Sequence, residues 1–171
     1  MKHGIRRAIA VGTLCVAGVA AGAEAAEPVK AAKGAASAAD VARGRYLSVI
    51  GGCNDCHTLG YAPSGGQVAE AQWLLGDGVV GFSGPWGTTY APNLRRGAAS
   101  MSETEWLAFV RALKARPPMP WFTLNQWKDS DLRALYRYVR QLGPPGDAVT
   151  AFAPPGQAPK GPVIRWPAPP K

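Results

Sequence analysis

Two thiols and an imidazole lie together in the run Cys53, Asn54, Asp55, Cys56, His57, Thr58, which has the spacing CxxCH. Two cysteines three positions apart on one helical turn can each form a thioether with the vinyl groups of a single macrocycle, and the next residue, His57, then supplies a nitrogen to its iron. The pattern predicts one covalently bound haem c, with Cys53 and Cys56 as attachment points and His57 as an iron ligand. Thioredoxin-like redox pairs and half zinc sites share the CxxC spacing. A structural zinc site wants four ligands, and beyond the N-terminal segment the cysteines and histidines are Cys53, Cys56 and His57 alone, so closure would need carboxylates or a second subunit. A thioredoxin-type pair belongs beside a βαβ pattern, and neither side of the motif reads as a parallel-strand run.

The chain that must position these groups has 171 residues and a formal charge of +8. It opens with Lys2, Arg6 and Arg7, followed by an Ala/Gly/Val-rich run from Ala8 to Ala23. A basic start, a short apolar run and the small residues Ala21, Ala23 and Ala25 read as a secretory signal peptide over 1–25, less apolar than a membrane span. Export to the periplasm is the expectation, with His3 and Cys15 leaving with the peptide. The formal charge then falls by two, because Lys2, Arg6, Arg7 and Glu24 leave together. The remaining basicity is ordinary for a soluble protein and does not call for nucleic acid. Residues 26–39 are Ala-rich without an apolar face and read as a flexible linker. Order is expected from Asp40, capping a helix in which Val41, Gly44, Leu47 and Ile50 share one side until Gly51 and Gly52 break it.

Between Leu59 and Gly97 glycine, proline and aromatic residues, including Trp73, Phe82, Trp86 and Tyr90, show no sustained period of 2 or 3.6. This predicts a long ordered loop region, uncommon in a small domain unless it wraps something. Trp86, Thr88, Thr89, Tyr90 and Asn93 have polar tips suited to haem propionates, or equally serve as loop anchors. Ser102 and Glu105 spell a capping box, with Met101 and Trp106 placed as a hydrophobic staple, and Pro117 stops that helix. The run Arg116, Pro117, Pro118, Met119, Pro120, Trp121, Phe122 is expected to be rigid and extended. A last helix starts at a capping Asp129 or Ser130, buries Leu132, Leu135, Tyr136, Val139 and Leu142, and turns Arg133, Arg137 and Arg140 outward. From Gly143 prolines are frequent, so 144–171 reads as an extended tail with Phe152, Ile164 and Trp166 as anchors.

The order ARGRYLSVIGGCNDCHT, GFSGPWGTTYAPNLR, RPPMPWF, DLRALYRYVRQLG resembles a monohaem class I c-type cytochrome over roughly 40–143, and its GPWGTTYAPNL segment is similar to haem c domains of periplasmic dehydrogenase cytochrome subunits. The resemblance implies an all-α, cytochrome c-like fold of about three to four helices, with long Gly/Pro/aromatic loops around one haem. It also implies close approach of the first and last helices at Gly44, His57 as proximal ligand and Met119 as distal ligand. Elimination agrees on Met119, since no second histidine remains and Met101 is committed as a staple. The expected function is electron transfer, not enzymatic catalysis, between a dehydrogenase and an oxidase or other acceptor. A haem c enzyme or sensor with an opening distal site for peroxide or a diatomic gas is the alternative. Expected partners are redox proteins with an acidic docking face, steered by Arg95, Arg96, Arg111, Lys114 and Arg116, and a membrane complex is a further candidate.

Overall fold

A computed structural model describes residues 36–166. The expected signal peptide and most of the expected linker lie outside the described residues. Within them the elements run α1 (Ala38–Ile50), α2 (Cys53–His57), a single 3₁₀ turn (Glu70–Gln72), β1 (Asp77–Gly84), β2 (Gly87–Ala91), α3 (Leu94–Ala99), α4 (Glu103–Ala112), α5 (Trp121–Leu124), α6 (Asp129–Gln141) and β3 (Val163–Arg165).

Helix α1 begins ahead of Asp40. Ser37 is its cap: the hydroxyl accepts from the Asp40 amide at 3.0 Å while the Asp40 carboxylate accepts from the Ser37 amide at 3.3 Å. Asp40 thus occupies the third helical position, and the expected linker loses its last residues to the cap and first turn. Helix α1 packs on α6 through Gly44, where a Cβ would collide with the Ala134 carbonyl oxygen and lie 2.6 Å from Tyr138 Cβ. Leu132, Leu135, Tyr136, Tyr138 and Val139 bury the inner face of α6. Its cap is Lys128, without a side-chain hydrogen bond, so Asp129 is the first helical residue rather than the cap. The outward arginines are not simply solvated. Arg137 donates to Asp40 and Glu103 at 2.7 Å each, and Arg133 donates to Glu103 at 2.8 Å, tying α1, α4 and α6 together. Helix α4 starts at the Ser102–Glu105 capping box.

The fold is not all-α, which corrects the expectation drawn from the sequence. A three-stranded mixed sheet has the order β2-β1-β3, with β1 antiparallel to β2 and parallel to β3. The glycine-rich stretch read as loop forms a hairpin in which Gly84 pairs with Gly87 around Pro85 and Trp86. Glycine is required at Gly81, where a Cβ would lie 2.5 Å from Thr88 Cγ2 and 3.1 Å from the Tyr90 ring. The alternation that usually betrays a strand is missing for a physical reason. Strand β2 is buried on both faces at Thr88 and Tyr90 as well as Gly87 and Ala91, because the tail covers it. The tail supplies β3 and is held to this same domain mainly by its backbone: Ile164 pairs with Phe82 and the Trp166 amide donates to the Ser83 carbonyl, both side chains staying exposed, while Phe152 lies under the Arg116 guanidinium at 3.8 Å. A parallel pair therefore exists where none was expected. Its two strands are joined through α3 to α6 rather than by one crossover helix.

Candidate functional site

Helix α2 follows directly on the break at Gly51 and Gly52. Gly52 sits at φ +65°, a conformation favouring glycine, and a Cβ at Gly51 would press on the Trp127 ring at 2.8 Å. Asn54 and Thr58 are buried beneath it. The Thr58 hydroxyl donates to Asn54 Oδ1 at 2.7 Å and accepts from the Leu74 amide at 2.7 Å, which fixes the turn that carries the motif.

His57 is buried and held at two points. Its Nδ1 lies 2.7 Å from the Pro92 carbonyl oxygen, and its own carbonyl accepts from the Gly76 amide at 2.8 Å. A carbonyl only accepts, so Nδ1 carries the proton and Nε2 is the nitrogen left with a free lone pair. Burial pushes the imidazole below its ordinary range, partly opposed by the Pro92 bond, which favours the neutral ring that an iron needs. Burial pushes the Cys53 thiol up to about 11 and the Cys56 thiol in the same direction. That is opposite to the depression that activates a thioredoxin-type pair. Among the described residues no three or more His, Cys, Asp or Glu side chains converge as a metal site would require. Cys53 and Cys56 are both free thiols.

Cys53, Cys56, His57 and Met119 all line one cavity of about 1190 Å³, whose walls include Leu47, Phe82, Leu94, Val110, Leu135 and Val139. This exceeds the roughly 300–1,000 Å³ of ordinary small-molecule sites and is mostly apolar. Two free thiols, a neutral imidazole with one committed nitrogen, a thioether and an apolar slot fit a covalently held haem. The buried Thr89 hydroxyl, on the cavity wall and without a partner, is a polar group of the kind a propionate would satisfy.

The structure brings Met119 to this cavity but not by a purely extended segment. Residues 117–118 form a turn, with the Met119 amide donating to the Arg116 carbonyl at 3.3 Å. Met101 stays outside, its carbonyl accepting from Tyr136 at 2.7 Å. Trp86, Tyr90 and Asn93 do not line the cavity either. The Trp86 indole nitrogen is buried without a partner beside Gly84. Tyr90 donates to the Lys160 carbonyl at 2.8 Å and accepts from its amide at 2.7 Å. Asn93 caps α3 and donates to the carbonyls of Pro145 and Asp147. All three brace the hairpin or the tail.

Arg95, expected at a docking face, is 3% exposed and donates to the carbonyls of Trp73, Leu142 and Ala71 at 2.8, 2.8 and 3.0 Å. Its guanidinium caps the C-terminal ends of α6 and of the 3₁₀ turn instead of meeting a partner. Arg111 pairs with Asp129, and Arg96 donates to Gly146. Lys114 and Arg116 border the cavity, joined by Lys128. Sequence reasoning missed Pro92 and Gly76, whose contributions come from the main chain.

Over 121 residues, 65% of this chain, the sequence is 30% identical to a subunit of nicotinate dehydrogenase from Pseudomonas putida. The chain is similar to part of a dehydrogenase subunit. The match spans 9% of that relative's length. No family model matches, and no solved structure matches. No helix among the described residues is long and apolar enough to cross a membrane.

Proposed function

We propose that this chain is a periplasmic electron-transfer protein. It holds one haem c through Cys53 and Cys56, with His57 and Met119 as axial ligands, and passes electrons between a dehydrogenase and an oxidase or other acceptor. The observation that carries the reading is the convergence of both thiols, the neutral imidazole and the Met119 thioether on one apolar cavity. When bound, the group would supply one-electron redox chemistry at its iron.

The chain's own residues do the rest. Pro92 fixes the His57 tautomer and raises its basicity as a ligand by accepting a hydrogen bond from Nδ1–H. The apolar wall excludes water, which keeps charge change at the site costly and the potential high, and a thioether paired with imidazole acts in the same direction. Lys114, Arg116 and Lys128 at the cavity border present positive charge to an acidic partner. Similarity to a dehydrogenase subunit supports a dehydrogenase as that partner, free or in a membrane complex.

The absorption spectrum of the reduced protein with and without carbon monoxide tests the reading. Two occupied axial positions leave the spectrum unchanged. Ready binding of carbon monoxide by the wild type would support an open distal site, as in a haem enzyme or gas sensor, and would overturn the carrier assignment.

A further inference from the structure

Each of the two hydrogen bonds that hold His57 leads to the same short piece of tail. The Nδ1 partner is the Pro92 carbonyl, and the next residue, Asn93, is buried with its amide donating to the Pro145 and Asp147 carbonyls at 2.5 and 3.0 Å. Arg95 reinforces this side by donating to the Leu142 carbonyl. The other partner is the Gly76 amide. Gly76 is pressed against the tail, since a Cβ there would lie 2.6 Å from Val149 Cγ1, and the Thr150 hydroxyl donates to the Gly78 carbonyl at 2.7 Å.

We propose that residues 142–150 are a positioning clamp for His57, acting through Asn93 and Pro92 at the ring and through Gly76 at the main chain. The clamp rests on the haem reading only for its redox consequence. Asn93 is the positioning residue best suited to a test, because its two functions use different atoms. Oδ1 accepts from the Arg96 amide and caps α3, whereas Nδ2 reaches the tail. Serine retains the cap and lacks that reach. Farther along, the Tyr90–Lys160 bonds and the β1–β3 pairing hold the tail to the hairpin without touching either partner of His57. Loosening the first segment therefore frees the ring, and loosening the second does not. A weaker Nδ1 hydrogen bond makes the imidazole a poorer donor and raises the reduction potential.

The test uses the full-length, haem-loaded chain in its reduced form and measures solvent exchange of the His57 Nδ1 proton by NMR, together with the midpoint potential. Asn93→Ser and Thr150→Val are compared with Tyr90→Phe. The clamp predicts exchange on the order of tenfold faster in Asn93→Ser, a smaller acceleration in Thr150→Val, and wild-type exchange in Tyr90→Phe. The potential rises in Asn93→Ser and stays put in Tyr90→Phe. Should Asn93→Ser fail to fold, Thr150→Val against Tyr90→Phe decides the question. If the tail-facing variants match Tyr90→Phe in both exchange and potential, the clamp is overturned. Acid extraction of the wild type is a separate readout: colour lost there counts against the haem reading, while ring exchange still judges the clamp.

Discussion

Around His57 the supporting residues Asn54, Thr58, Leu74 and Asn93 are buried, whereas around Met119 the neighbouring helix α5 buries none of its residues. The imidazole is held at its ring and its carbonyl, and the turn that carries it is pinned by Thr58 to Asn54 and Leu74. Met119 depends on a short turn and two main-chain bonds, to the Arg116 carbonyl and from the Trp121 amide at 2.9 Å. Local opening draws on regions with few buried contacts. The two sides of the cavity therefore differ in stiffness, and ligand exchange should begin on the methionine side.

Breaking the stiff side should have the largest effect. Gly76→Ala places a Cβ at φ +87°, 2.6 Å from Val149 and 2.8 Å from the Asn93 nitrogen. Strain and overpacking together should cost about 3–5 kcal/mol in denaturant unfolding. A loss below about 1 kcal/mol would mean that the His57 surroundings yield easily. Next comes Thr58→Val, which removes the acceptor of the buried Leu74 amide and the donor to Asn54 and should cost about 1–3 kcal/mol in the same measurement.

On the other side, Met119→Ala should change stability by only about 1 kcal/mol, since the side chain is half-buried in a turn. On the proposed haem reading, the covalent group should stay in place while the charge-transfer band of iron–sulfur ligation disappears, the potential falls and carbon monoxide binds. Survival of that band in Met119→Ala, with its loss in Met101→Ala, would transfer the ligand role to Met101.

The smallest effect concerns acid. Hydrogen bonds from Ser37 and Arg137 hold the Asp40 carboxyl below its ordinary 3.8, and Arg137 and Arg133 hold Glu103 below 4.5. Both groups bind protons more readily unfolded, so their contribution is present above those values and is lost as pH falls through the lower folded ones. The melting temperature should drop modestly below pH 4.5, and less steeply in Glu103→Gln. The hydrogen bonds that pin His57 to Pro92 and Gly76 involve no carboxylate, so ring exchange should not follow that acid limb.

The helices were legible where their signals are local. Ser102 with Glu105 marks α4 by side-chain chemistry alone, and CxxCH marks the cavity wall. Ser37 with Asp40 carried the same kind of signal, obscured by the Ala-rich run before it. The sheet was not legible, because β1 is rich in glycine and irregular in register between Asp77 and Phe82, and β2 is covered by residues more than sixty positions away in the chain. Pro92 and Gly76 act through main-chain atoms, which no residue type announces. Asn93 and Tyr90 have tips that suit propionates and tail carbonyls equally, and the position of the tail decides between them.

Covalent attachment at Cys53 and Cys56 is the central claim, and intact-mass measurement combined with extraction into acidified organic solvent tests it most directly. The account predicts a mass raised by one haem, with the colour remaining on the protein, and loss of that behaviour when both cysteines are replaced by alanine. A wild-type chain at its bare polypeptide mass, or one whose colour passes entirely into the solvent, would contradict it.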